Sequence, residues 1–206
     1  MVDNQQVLQH ITGHTGGVPL QLTWQNHFTP VQQPRIQGRS AFTDAPFQIN
    51  AVPPVRQDPD GQFRFQNVRI GVSMNRGSSW VVTSQQSASL LDHEQGHYNI
   101  TWLVMRELCR QLLNDEWDAS VLSATNTSSA AQVRDRFTTD FTRLSQAARS
   151  EVARLNILYD SVPETNHGAN PIPQGRWDRM FQYVIQNPES DLTTLLMLGG
   201  GSPTGF

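Results

Sequence analysis

Between residues 87 and 114 the sequence admits one kind of local structure. Leu91, Tyr98, Trp102, Met105, Cys109 and Leu112 recur at spacings of three, four and seven. That is the apolar stripe of a long helix buried along one side. Ser89-Leu90-Leu91-Asp92 supplies a capping box, so the helix starts near Ser87 or Ser89 and runs to about Asn114. Its first turns carry His93-Glu94-Gln95-Gly96-His97. Residues four apart on a helix stand on one face, so His93 and His97 can direct two imidazoles at a single metal ion. Glu94 lies beside that face and can reach a water there as a general base. Gly96 costs about 1 kcal/mol against alanine inside a helix, which close packing beside the histidines would explain.

A second helix follows the polar stretch from Asp115 to Ser129. Val133, Phe137, Phe141, Leu144, Ala148, Val152, Leu155 and Tyr159 step by threes and fours without a break, and the pattern stops before Pro163. From His97 to Asn114 the first helix descends about 26 Å. Packed antiparallel, the second returns to the level of the two histidines near residues 147–151, and Tyr159 to His167 emerge beside them. Glu151, Asp160, Glu164 and His167 are therefore the candidates for a third ligand, and the spacing alone favours none. Trp177, Phe181 and Val184 mark a third helix that ends at Asn187-Pro188. Residues 191–206, closing in Gly199-Gly200-Gly201-Ser202-Pro203, read as a flexible tail.

Ahead of the helices the pattern is β. Residues 1–17 are polar and glycine-rich and read as loop; His10 and His14 share a four-residue spacing, but Gly13, Gly16 and Gly17 oppose a helix there. From Val18 to Thr83, alternating apolar residues are punctuated by Pro30, Pro34, Pro46, Pro53-Pro54 and Asp58-Pro59-Asp60-Gly61. Phe63 and Phe65 share one phase and Val68, Ile70 and Val72 the other, so a bulge or turn is expected at Gln66-Asn67. Asn75-Arg76-Gly77-Ser78 reads as the turn of a hairpin into Trp80-Val81-Val82. The expected fold is α+β: an N-terminal antiparallel β-sheet followed by a long helical hairpin carrying a zincin-like metal site, in a single domain over residues 1–190.

Composition narrows the function classes. A net charge of −3 over 206 residues gives no electrostatic reason to expect nucleic acid. No run approaches the length of a membrane span, and no basic-then-apolar start marks a signal peptide. The single cysteine, Cys109, excludes an intrachain disulfide and falls in the helical stripe, where it reads as a small buried hydrophobe. Oligomeric state is not legible.

His93-Glu94-Gln95-Gly96-His97, Ser79-Trp80-Val81 before it, and Tyr159-Asp160 followed by Thr165-Asn166-His167-Gly168 with Trp177 resemble an uncharacterised bacterial family of predicted secreted zinc-dependent proteases. The resemblance runs from about Trp24 to Trp177. It implies a zinc ion, a peptide or protein substrate and a secreted or cell-envelope location, and it favours His167 as the third ligand. The expectation is thus a zinc metallopeptidase with metal ligands His93, His97 and His167. Glu94 is its general base, and Tyr159 is the donor to the oxyanion. A strand such as Trp80 to Thr83, or Val68 to Val72, would pair with an extended peptide. Two rivals share the motif: a non-enzymatic binding module with a structural zinc, and a metallohydrolase of a non-peptide amide.

Overall fold

The computed structural model describes residues 2–54, 58–118 and 129–203. Its architecture is a mixed α/β one, with small antiparallel and mixed sheets set against a long helical region.

Chain entry differs from the loop expected. Asp3 and Gln6 form a capping box that starts α1 (Asn4–His10), and Val7 on that helix is fully buried. A two-residue hairpin follows, β1 (His14–Thr15) with β2 (Val18–Pro19), then a single turn, α2 (Trp24–His27), capped by Thr23. Neither early histidine joins the cluster of His93 and His97. His10 Nδ1 bonds the Val68 carbonyl, and His14 Nε2 faces the carbonyls of Leu8 and Ile11.

The strands are short and split among several sheets. β3 (Thr29–Val31) and β4 (Ala41–Phe42) flank β8 (Trp80–Val82), parallel and antiparallel respectively. Pro46 separates β4 from β5 (Phe47–Val52), which pairs antiparallel with β7 (Gln66–Val72). β6 (Gln62–Arg64) pairs with β9 (Glu116–Asp118). The phase switch expected at Gln66-Asn67 is real. Asn67 takes φ 51°, and the strands on either side of Phe65 belong to different sheets. Two expectations are corrected. Residues 75–78 turn the chain but close no hairpin, because β7 and β8 do not pair. And β8 is a central strand with both edges occupied, so it offers no edge to a peptide; β4 is the edge strand of that sheet, and β7 is paired with β5 on one side and bridged at Ile70 by Ile11 on the other.

α3 (Ala88–Asn114) is the axis of the molecule. Ser87, rather than Ser89, caps it by accepting from the Leu90 N–H. Tyr98, Ile100, Trp102, Met105 and Cys109 are fully buried on several sides, since the sheets lie on one face and the other helices on another. The Trp102 Nε1–H and the Tyr98 hydroxyl donate to the carbonyls of Thr12 and Gly13, tying α3 to the N-terminal segment. Gln95, inside the motif, brackets residues 20–22: it donates to the Leu20 carbonyl and accepts from the Leu22 N–H.

α4 (Ser129–Asp160) returns antiparallel along α3, with Asn156 level with His97 and Asp140 near Asp115. Its last residue, Asp160, therefore arrives beside the histidines. Trp177, Met180, Phe181 and Val184 of α5 (Pro171–Gln186) close the core over Tyr159. The stretch expected as a flexible tail contains α6 (Leu192–Leu198), capped by Asp191 and anchored by buried Leu192 and Leu196. Among the described residues no helix is long and apolar enough to cross a membrane.

Candidate metal centre

His93 and His97 stand one turn apart at the head of α3, with their rings edge to face at 4.8 Å. The outward nitrogen of each ring is selected by what holds the other. His93 Nδ1 lies 3.3 Å from Gln174 Oε1, and His97 Nδ1 lies 2.6 Å from Asn156 Oδ1. Asn156 Nδ2 donates to the Val152 carbonyl, which fixes the amide so that its oxygen faces His97. Both carbonyl oxygens only accept, so both histidines carry a proton on Nδ1 and turn Nε2 outward.

Those two Nε2 atoms converge on one carboxylate oxygen. Asp160 Oδ1 is 3.2 Å from His93 Nε2 and 3.1 Å from His97 Nε2. Three lone pairs facing one another at this range repel unless a proton or a metal cation sits among them. The local charges show the same demand. Burial alone would lower the His97 pKa, yet Asp160 and Glu94 raise it. Burial alone would raise that of Asp160, yet the two histidines hold it well below the usual carboxylate range. His93, His97 and Asp160 each offer one ligand atom, all within 4.8 Å of one another, and together form a candidate metal site. A tetrahedral zinc with bonds of about 2.0–2.2 Å sets its ligands about 3.3–3.6 Å apart, so the two short separations fit such an ion after a shift of a few tenths of an ångström.

The other sequence candidates lie at varied distances from this cluster. His167 is adjacent but outside it: its Nδ1 is 3.3 Å from Asp160 Oδ1, and its side chain is 43% exposed. Asn166, His167 and Gly168 run through three positive φ angles of 48°, 53° and 82°. Gly168 is required there, since a Cβ would press at 3.1 Å on His93 Cβ. Glu151 instead pairs with Arg154 and accepts from the Thr193 hydroxyl of α6. Glu164 is buried, accepting from the Trp177 indole and the Ser202 hydroxyl. It braces the loop that carries His167.

Glu94 is 3% exposed, and its Oε2 accepts from the Thr43 hydroxyl at 2.6 Å. With His93, His97 and His167 it bounds a small void of about 10 Å³. Tyr159 is fully buried. Its ring stacks on His93 at 4.8 Å and 7°, and its hydroxyl meets Gln174 and the His93 carbonyl. Burial pushes its pKa well above the usual tyrosine value. It is not among the residues that line the void. Next to the cluster opens a cleft of about 650 Å³, with Arg39, Phe42 and Thr43 on one wall and Val152, Asn156, Ile157 and Val162 on the other.

Arg39, Thr43, Asn156 and Gln174 were not singled out from the sequence. Asn156 had a signal, because it stands four residues before Asp160 on the same helical face. The others are brought in by long-range packing and had none. Comparisons with protein-family models, with curated proteins and with solved structures return no match.

Proposed function

We propose that the domain is a zinc-dependent peptidase with His93, His97 and Asp160 as its protein ligands. The observation that carries this reading is the convergence of two histidine Nε2 atoms on Asp160, next to a buried glutamate and an open cleft. The donor set of two imidazoles and one carboxylate is one that zinc accepts, and it leaves a position for water. When bound, zinc supplies Lewis-acid polarisation of a carbonyl and lowers the pKa of water. Glu94 takes the water's proton and delivers it to the leaving amine; the Thr43 hydroxyl orients its carboxylate for this. Gln174 and Asn156 hold the two imidazoles in the ligating tautomer. Tyr159 acts by positioning His93 and not as an oxyanion donor, because its hydroxyl is committed inside the core. The free edge of β4, at the cleft, is where an extended peptide would add as a strand. A secreted or envelope location rests on the family resemblance alone.

One observation favours a second reading. His167 Nδ1 is close enough to Asp160 to become a fourth ligand, which would close the site and make the zinc structural, as in a binding module. A non-peptide amide substrate is a variant of the first reading that the same residues would serve. The test is Glu94→Gln, which keeps the shape of the side chain and removes its basicity. Zinc content and fold are expected to persist while turnover of casein or a peptide library falls by about 10² or more. Undiminished turnover contradicts the role of Glu94. A wild type that binds zinc but cleaves nothing favours the binding module.

A further inference from the structure

Peptide hydrolysis develops negative charge on the former carbonyl oxygen, and that charge requires a donor beside the metal position. Tyr159 is fully buried with its hydroxyl on Gln174 and the His93 carbonyl, and Thr43 is spent on Glu94. Arg39 stands where the donor is needed. It lines both the small void bounded by His93, Glu94 and His97 and the large cleft, so it sits at the junction between the two. Its Nη2 lies 3.2 Å from Asp160 Oδ2, the carboxylate oxygen not facing the histidines. Its guanidinium stands 5.9 Å from the Phe42 ring centroid. Its ion pair with Asp160 engages one carboxylate oxygen, and a guanidinium carries five N–H donors, more than that oxygen can take up.

We propose that Arg39 is the oxyanion-binding residue of this site: Asp160 holds it in place with one oxygen while the other faces the metal, and its remaining N–H groups bind negatively charged oxygen at the metal position. This rests on the peptidase reading for its role in turnover, but it makes a claim about anion binding that stands apart from turnover. A tetrahedral oxyanion such as inorganic phosphate is bound at the metal with help from Arg39, whereas a neutral metal ligand such as imidazole is not. The geometry also makes arginine specific, since a lysine ammonium cannot meet Asp160 and a second anion with a fixed fork of donors.

The protein is loaded with Co²⁺, and phosphate and imidazole are titrated separately while the visible cobalt spectrum is followed. Arg39→Ala is expected to weaken phosphate at least tenfold and Arg39→Lys by an intermediate factor, with imidazole affinity unchanged in both. Equal phosphate affinity in wild type and Arg39→Ala overturns the proposal, as does a parallel loss of imidazole, which would mark a merely structural effect. A loss produced by His167→Ala instead assigns the role to His167 and overturns it too. Failure of the wild type to take up cobalt overturns the metal site and this proposal together. Arg39-dependent phosphate binding in a protein that cleaves no peptide leaves the anion site standing and removes only the peptidase reading.

Discussion

Gly96 and Tyr159 fill each other's space: a Cβ on residue 96 would overlap the Tyr159 hydroxyl and ring edge. The glycine in the middle of the motif is therefore an opening in the surface of α3 through which the tyrosine reaches under His93. Tyr159 then stacks on that imidazole, stands edge-on to His97 at 5.1 Å, and passes the contact on to Trp177 and Phe181. In this way α4 and α5 set the orientation of the two histidines on α3.

Gly96→Ala separates this packing from helix propensity. Propensity alone would stabilise the variant by about 1 kcal/mol, whereas forcing Tyr159 aside should cost about 1–3 kcal/mol. The expected outcome is a net loss in denaturant midpoint together with weaker zinc binding. A midpoint above wild type with unchanged zinc affinity would contradict the close approach.

Gln174 and Asn156 give a prediction about affinity without loss of fold. Removing the acceptor of a ligating histidine's other nitrogen commonly costs 10–100-fold in metal affinity. Gln174→Ala and Asn156→Ala are each expected in that range by competition with a chromophoric chelator. Gln174→Ala should be the more destabilising, because it also removes the bonds to the Tyr159 hydroxyl and to Asp178. Wild-type affinity in both variants would show that the tautomers are not held in this way.

Cys109 predicts an alkaline limit to stability. Burial pushes its thiol from 9.0 up to about 12, with Arg110 opposing weakly. A folded pKa above the unfolded one means that the stabilising share is complete below pH 9. It declines as pH rises toward 12, because the unfolded thiol ionises first. Stability measured from pH 8 to 11 should fall in the wild type and fall less steeply in Cys109→Ala. The thiol should also resist alkylation until the protein unfolds. Rapid labelling of the native protein at pH 8 would contradict its burial.

The helices were legible because their signals are local. Ser87 and the three-and-four stepping bound α3, and the unbroken stripe from Val133 to Tyr159 with Pro163 beyond it bounds α4. The sheets were not, because strands of two or three residues choose partners by packing far along the chain: β8 takes β3 and β4, some 50 and 40 residues away, over its nearer neighbour β7. The histidine pair was fixed by helical spacing, but the third group turns on where α4 ends. Had the helix ended a turn earlier, Asp160 would lie on the loop and His167 could come closer. The helix instead runs through Asp160, which turns that carboxylate to the two histidines and puts Tyr159, about 100° round the helix, into the core. α1 was missed because its polar face hides a capping box at Asp3 and Gln6 that is as clear as the one sought at Ser89.

The central claim is that His93, His97 and Asp160 bind one metal ion. Zinc titration by calorimetry of wild type, Asp160→Asn and His167→Ala tests it most directly. The account predicts one equivalent of zinc in the wild type, a loss of at least 10²-fold in affinity in Asp160→Asn, and a loss of less than tenfold in His167→Ala. A folded wild type that takes up no zinc, or an Asp160→Asn variant that binds it as tightly as wild type while His167→Ala does not, would contradict it.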